Sequence, residues 1–388
     1  MNILPISLVS ASGYDMAQAA VDKSIANLGG LGAYFNPNQK ILIKANLLGK
    51  HHPDKAVTTH PALVEALARR LIEFGCQVII GDSPAGAYTE AKLAAVYKAT
   101  GMTGAAEGSG AALNYDCGFR EVETSGKLLK KVEIISAALD ADAIVNFCKL
   151  KTHEFTGYSG CVKNLYGAVP GRIKIQLHAA YSAVDKFCDM LIDIERYLAD
   201  KVVLHFIDGI IGMDGAGPLD GSPHFVGKII VSPDPYLCDL AALKVVGAKR
   251  ESMPLIERAA ERGLIDSALV DGSVELETVG ESLADTPQAS KYKSIPVRLH
   301  EPISARVPRF LLKTAYKLLT KYPRLKRKRN CVGCNKCAEH CPVDAVRLRK
   351  GKAKFDLVSC IRCFCCSEVC EYHAIKIKTP ILYKTMRK

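Results

Sequence analysis

Several features that would fix a function class are missing from this 388-residue chain. No apolar run approaches the roughly 20 residues needed to span a bilayer. The N-terminus, MNILPISLVSASG, has no basic stretch and reads as a strand, not a secretory signal. The Gly-x4-Gly-Lys-Ser/Thr order of a Walker phosphate loop is absent, and no Gly-x-Gly-x-x-Gly follows the first expected strand. Neither a P-loop nor a Rossmann dinucleotide site is therefore indicated. Fifteen cysteines without an export signal argue against disulfides and for metal ligation in a reducing compartment, so the expected location is the cytoplasm. The length admits two or more domains, and a 48% apolar fraction is ordinary for a globular core.

What is present is concentrated near the C-terminal end. Nine of the fifteen cysteines lie in the last 58 residues, and eight of them repeat one frame. It reads Cys331-x2-Cys334-x2-Cys337-x3-Cys341-Pro342 and, 29 residues on, Cys360-x2-Cys363-x2-Cys366-x3-Cys370. This is the bacterial ferredoxin spacing for two 4Fe–4S clusters, in which the fourth cysteine of each run serves the other run's cluster. Three thiolates in a tight loop hold three corners of a cubane; the fourth arrives from elsewhere and ties the halves together. The expected metal ligands are Cys331, Cys334, Cys337 and Cys370 for one cluster, and Cys360, Cys363, Cys366 and Cys341 for the other. A zinc ribbon is the competing reading, but zinc prefers two separated cysteine pairs. Cys365 is either a spare thiol beside a cluster or a substitute for Cys366; spacing favours the regular frame.

The net charge of +12 is unevenly spread: residues 301–388 hold 22 Lys and Arg against 6 Asp and Glu, and residues 1–300 hold 30 against 34. Two oxidised clusters, each about −2 with its thiolates, would offset only part of that basic excess. The remainder suits an acidic redox protein or peripheral contact with an anionic membrane surface. Nucleic acid is the least expected partner, because no recognition fold accompanies the basic run Arg324–Arg329, which reads as a solvated hinge.

Residues 1–280 alternate short apolar runs with helical patterns, the signature of a mostly parallel α/β sheet with flanking helices. Expected strands include Lys40–Ala45, Gln77–Ile80, Ala143–Phe147, Val202–Ile207 and Gly227–Val231. Residues 281–329 form a connector with a basic amphipathic helix at Arg306–Tyr322, its stripe made of Val307, Phe310, Leu311, Leu318 and Leu319. Residues 330–380 form a small α+β ferredoxin-like domain.

In open α/β sheets, ligands bind beyond the carboxyl ends of the strands. Several expected strands end there in polar residues: Lys44 and Asn46, then Asp82 and Ser83, then Asp208. The densest segment is Lys149-Leu150-Lys151-Thr152-His153, followed by Gly157, Gly160, Cys161, Lys163, Asn164, Gly167 and Gly171. If the strand continues, Lys149, Lys151 and His153 share a face. They would repel one another unless an anion sits among them, so an anionic small molecule is expected, with the glycines letting backbone N–H groups approach it. A surface-exposed basic loop is the bland alternative. A second glycine-rich stretch, Gly209–His224, suits a compact loop closing over the site. Cys161 reads as a buried core thiol or a lysine-activated nucleophile.

Lys44-Ala45-Asn46, Gly81-Asp82-Ser83-Pro84, Lys149-Leu150-Lys151-Thr152-His153, Lys163-Asn164, Asp208-Gly209 and Gly215-x-Gly217-Pro218 together resemble the domain of unknown function 362 family. The resemblance covers residues 1–280, and family members often carry a C-terminal ferredoxin-type module. It implies an iron–sulfur protein of redox role. One departure is Glu371, which stands where a proline usually follows the fourth cysteine, so the cluster on Cys370 is expected to be more solvated.

The resulting expectation is a ferredoxin-linked oxidoreductase. Lys149, Lys151, His153 and Asp208 would act at the reacting centre, with His153 or Asp208 supplying protons. Lys44, Asn46, Asp82, Ser83, Lys163 and Asn164 would hold the anionic substrate or cofactor. Two 4Fe–4S clusters are expected, with room for an additional organic cofactor of unknown kind. The alternative is a non-catalytic electron carrier or assembly factor that docks a partner protein.

Overall fold

The β-branched runs become neighbours in a single nine-stranded sheet. Its first strands are β1 (Ser7–Ser10), β2 (Lys40–Lys44), β3 (Gln77–Gly81) and β4 (Ala112–Leu113). A separate hairpin of β5 (Phe119–Glu123) and β6 (Lys131–Ile135) falls where the sequence is least patterned. The sheet continues with β7 (Ala143–His153), β8 (Gly157–Ser159), β9 (Val202–Ala216), β10 (Asp220–Ser232) and β11 (Val279–Gly280). The order is β11-β1-β10-β9-β7-β2-β3-β4, with β8 paired to β7. The run β9-β7-β2-β3-β4 is parallel, and β10 lies antiparallel between β9 and β1. Consequently β1, β2, β3, β7 and β9 all point their carboxyl ends to one edge, as expected of a mostly parallel α/β sheet.

The computed structural model describes residues 4–286, 289, 292–294 and 311–380. By its internal contacts the chain divides into two units, Met1–Gly171 with Cys188–Val297, and Arg172–Phe187 with Arg298–Lys388. The short Arg172–Phe187 segment thus groups with the cysteine-rich end, although sequence spacing puts it in the α/β region. Among the described residues no helix is long and apolar enough to cross a membrane.

Helices cover the sheet by the usual stripe of apolar residues. The Pro61–Glu73 helix buries Leu63, Val64, Leu67 and Leu71 in the core shared with Ile41, Ile43 and Val145. Pro61 occupies its first turn, and His60 Nδ1 accepts the Ala62 N–H at 3.3 Å as a cap.

The second glycine-rich stretch is not a closing loop. It continues β9 into a long hairpin with β10, paired from His205–Ser232 out to Ala216–Asp220. The expected strand at Val202–Ile207 stops early only in sequence terms, because Gly209 and Gly212 break the apolar pattern. In space they sit where an added Cβ would crowd Lys228, Leu150 or both, so small residues are needed to keep the strands together.

The cysteine-rich unit has its own core of Cys331, Cys337, Val346, Ala353, Cys366, Val369, Ala374 and Ile375. Its strands are β12 (Tyr322–Leu325), β13 (Val346–Arg349), β14 (Lys352–Phe355) and β15 (Ile375–Lys378), paired β12–β15 and β13–β14. The basic run is therefore no hinge at its start: Arg324 and Leu325 pair with Lys376 and Ile375. In the connector, Val307 and Phe310 lie outside the described residues. The described Leu312–Leu319 helix buries Leu312 and Tyr316 and leaves Leu311 and Leu318 exposed, so its packed stripe is shifted from the expected one.

Candidate functional site

The parallel strands deliver their polar ends to one edge, and the side chains there are buried. Lys44, at the end of β2, donates to Asp82 Oδ1 at 2.7 Å and to the Ala45 carbonyl at 2.8 Å. Asp82 Oδ2 accepts the Leu47 N–H at 2.8 Å. Asn164 reaches this pair from the short helix after β8: its Oδ1 lies 3.4 Å from Lys44 Nζ, and its Nδ2 donates to Asn146 Oδ1 at 2.8 Å. Asn146 in turn donates to the Cys161 carbonyl at 2.8 Å and lies 3.0 Å from His205 Nδ1. Ser83 is buried beside them, its N–H donating to the Gly167 carbonyl at 3.2 Å.

A second group forms around Lys149, whose strand register places it opposite Asp208. Its ammonium donates to Asp208 Oδ2 at 2.8 Å and to Tyr14 Oη at 2.7 Å, while Tyr14 donates to Asp208 Oδ1 at 3.0 Å. The His60 backbone N–H also reaches Asp208 Oδ2, at 2.9 Å, and the His60 ring stacks on the Tyr14 ring with centroids 3.5 Å apart. The Lys149 and Asp208 side chains are both 0% exposed, whereas Tyr14 and His60 are half-buried and form the open side of the triangle. Burial lowers the Lys149 ammonium below the usual lysine range, against the pull of Asp208. Burial brings His60 down to about 4, and burial together with Asp208 raises Tyr14. At neutral pH this group holds a neutral imidazole and a protonated phenol.

The remaining residues are placed differently. Lys151 donates to Asn46 Oδ1 and to the Val57 carbonyl. The strand register jumps here, Lys149 pairing Asp208 but Lys151 pairing Met213, so the two lysines serve separate groups. His153 Nδ1 accepts the N–H groups of Phe155 and Thr156 at 3.1 and 3.3 Å, closing the turn into β8 and leaving the proton on Nε2. Lys163 is half-buried on the Cys161–Asn164 helix.

The bland surface-loop reading fails, since Lys149, Lys151 and His153 are 1–3% exposed. The anion that compensates Lys44 and Lys149 is the chain's own carboxylate, Asp82 and Asp208, so charge balance alone does not call for an external one. The same holds for the glycine-rich segment. The N–H groups of Cys161 and Val162 do bind an acidic group, the Asp239 carboxyl, at 2.6 and 3.2 Å. Desolvation raises the Asp239 carboxyl to about 7 despite these bonds. A Cβ on Gly167 would overlap Lys44 Nζ and Asp82 Oδ1. Gly167→Ala is therefore expected to cost about 1–3 kcal/mol by overpacking. Thermal unfolding followed by circular dichroism would read it; an unchanged midpoint would mean the ion pair shifts freely.

Tyr14 and Asp239 were not anticipated. Tyr14 was findable, because β1 runs parallel to β9 and Tyr14 follows its carboxyl end. Asp239 gave no signal inside an apolar helix. Cys161 is a fully buried core thiol, its Sγ 3.8 Å from Cys148 Sγ, and burial raises its pKa well above the ordinary range.

In the cysteine-rich unit, one cavity is lined by Cys331, Cys334, Cys337 and Cys370 together. Burial, then the neighbouring Cys370, Cys331 and Cys334, hold the Cys337 thiol up at about 11. Cys366 is raised by burial and by Cys363, Cys360, Cys337 and Cys341, and Cys360 likewise faces Cys363 and Cys341. Cys370 thus stands with the first frame's three, and Cys341 beside Cys360 and Cys366 of the second. Thiols that oppose one another's ionisation become four thiolates only when a cation offsets them, which fits a cluster at each site. Backbone N–H groups of Ala345 and Ala374 point at Cys341 Sγ and Cys370 Sγ at 3.2 and 3.3 Å, the kind of bond that tunes a cluster's potential.

The backbone repeats with the cysteines. Left-handed residues Gly333, Asn335 and Asp344 in the first frame recur, 29 positions on, as Arg362, Phe364 and His373. Arg362 tolerates the glycine conformation because its guanidinium is anchored on the Cys360 and Leu357 carbonyls at 2.7 and 2.9 Å and over the Tyr316 ring at 3.8 Å. Cys365 is buried, and a hydrogen bond to Cys363 raises it while lowering Cys363.

A family described as a domain of unknown function (DUF362) matches residues 41–244, and a 4Fe–4S dicluster domain matches residues 324–371. A thylakoid-associated protein of Synechocystis sp. is 29% identical over 274 residues, covering 68% of this chain and 81% of that protein. Among solved structures, the lactate racemase apoprotein of Thermoanaerobacterium thermosaccharolyticum aligns with a TM-score of 0.39 at 15% identity, over 61% of this chain and 56% of that one. A Thermotoga maritima protein aligns with a TM-score of 0.32 at 14% identity, over 60% of each chain. The chain thus spans less than two thirds of either structure.

Proposed function

This chain belongs to the DUF362 family and ends in a 4Fe–4S dicluster domain, and from that premise we propose that it is an iron–sulfur oxidoreductase. When bound, its two clusters supply one-electron storage and transfer, one electron each. The observation that carries the proposal is the buried triangle of Lys149, Asp208 and Tyr14 under the half-open His60 ring, in the same chain as eight paired-off cluster thiols. Most two-electron reductions also take protons. Tyr14, on the half-buried side, can give its hydroxyl proton to a substrate and take one in turn from Lys149, whose pKa burial lowers, while Asp208 holds both donors in place. His153 is a weaker candidate, since its Nδ1 is committed to the turn into β8. The substrate class proposed, carried over from the sequence pattern, is a small molecule with a carboxylate or phosphate, bound along the edge carrying Asn46, Ser83, Lys163 and Asn164.

A non-catalytic carrier or assembly factor is the competing reading. It draws on the pairing of Lys44, Lys149 and Lys151 with the chain's own oxygens, which would make these groups structural staples. Tyr14→Phe separates the two. It removes the hydroxyl between Lys149 and Asp208 but keeps the ring stacked on His60. An oxidoreductase should lose turnover by about 100-fold or more with iron content unchanged. The assay is anaerobic reoxidation of the reduced protein by a panel of carboxylate- and phosphate-bearing acceptors. Loss of stability alone, or no turnover in the wild type, would favour the carrier. A cytoplasmic location belongs to this proposal; the Synechocystis relative is described as thylakoid-associated.

A further inference from the structure

One face of the cysteine-rich unit is a groove walled by β12 on one side and the β13–β14 hairpin on the other. Eight of its fourteen lining residues are Lys or Arg and none is Asp or Glu. Arg324, Arg327, Lys328, Arg349, Lys350 and Lys354 are exposed, and among the described residues no ion pair holds them. An uncompensated set of like charges of this density destabilises its own neighbourhood and is relieved by a negatively charged partner. The groove also reaches a cluster site. Lys352 lines it and donates to the Cys331 carbonyl at 2.5 Å, and Ala353 lines both the groove and the cavity of Cys331, Cys334, Cys337 and Cys370. Beside that cavity Val332, Leu348 and Tyr372 are 56%, 36% and 51% exposed, a small apolar spot at the rim of the basic groove.

We propose that this face docks an acidic electron-carrier protein of the flavodoxin or small acidic ferredoxin type, which exchanges single electrons with the cluster site of Cys331. The groove is concave, which suits a convex protein surface better than a flat bilayer. No array of exposed aromatics lines it for base stacking, as single-stranded nucleic acid would use. The apolar spot over the ligand loop supplies a desolvated contact, and the basic rim steers approach and sets orientation. The transfer is balanced by one electron: the reduced carrier is oxidised by one electron as the oxidised cluster site is reduced by one, and no bond is made or broken. This inference rests on the iron–sulfur character of the chain but not on chemistry at the strand ends.

The test uses the full chain loaded with clusters under anaerobic conditions, and the double variant Arg349→Glu/Lys350→Glu in the exposed β13–β14 turn. Binding of a fluorescently labelled flavodoxin is measured at low and at moderate salt, and a viologen dye reports cluster reduction without docking. Charge reversal is expected to weaken flavodoxin binding by about tenfold or more at low salt, with the difference shrinking as salt screens it. Iron content and viologen reduction should be unchanged. Flavodoxin affinity that ignores both salt and the substitutions would overturn the proposal. So would a variant that loses retention on phosphatidylglycerol vesicles or on nucleic acid while binding flavodoxin normally. Failure of the oxidoreductase reading would leave this binding result untouched, because the assay needs no turnover.

Discussion

The double variant Cys331→Ala/Cys341→Ala is expected to lose essentially all cluster iron, although both cysteines belong to the same sequence frame. With cross-ligation, Cys331→Ala empties the site of Cys334, Cys337 and Cys370, and Cys341→Ala empties that of Cys360, Cys363 and Cys366. Each single variant should then fall from about eight irons per chain to about four. If each frame instead held its own cluster, both substitutions would strike one site and the double variant would keep about four. Iron and sulfide analysis of anaerobically purified protein decides between these outcomes. Cys370 lines the cavity of the first frame's three cysteines, and Cys341 is near enough to Cys360 and Cys366 to oppose their ionisation.

The second large effect is expected at Lys149. Lys149→Met removes the cation from a pair whose side chains are both fully buried, leaving Asp208 with only the Tyr14 hydroxyl and the His60 N–H. Stranding a buried carboxylate costs about 3–5 kcal/mol. A further change of Asp208 to Asn should recover part of it, because a neutral amide is cheaper to bury than a lone charge. The chain has no tryptophan, so far-UV circular dichroism is the appropriate probe of denaturant unfolding. With two units in the chain, the comparison belongs to the transition that the substitution shifts. A loss under about 1 kcal/mol would mean that water or local relaxation already solvates Asp208.

Legibility differed sharply between the two units. The eight cysteines needed no folding to be understood, since cubane ligation dictates local spacing and the spacing is contiguous in sequence. The parallel sheet was legible because fully buried strand segments such as Ile41–Ile43 and Ala143–Val145 read as short apolar runs. Lys44, Asp82, Lys149 and Asp208 could be collected at one edge from topology alone. Their pairing could not. It depends on strand register, on a bulge in β9 that separates Lys149 from Lys151, and on a loop that brings Asn46, Val57 and His60 across the strand ends.

The misreading of the glycines has the same origin. Gly160 and Gly167 looked like room for a ligand, yet the space is taken by Asp239 and by the Lys44–Asp82 pair. A glycine announces a close approach, and the sequence does not say what approaches. By itself the sequence determined that a 4Fe–4S dicluster domain lies near the C-terminal end, that the larger part is a mostly parallel α/β sheet, and that positive charge gathers beyond residue 300. Only the tertiary structure decided which carboxylate neutralises which lysine, that Tyr14 belongs with Lys149, and that exposed cations line a groove beside the cavity of Cys331, Cys334, Cys337 and Cys370. Ligand spacing and apolar runs are short-range properties of a chain, whereas ion pairing and surface shape arise from residues tens to hundreds of positions apart.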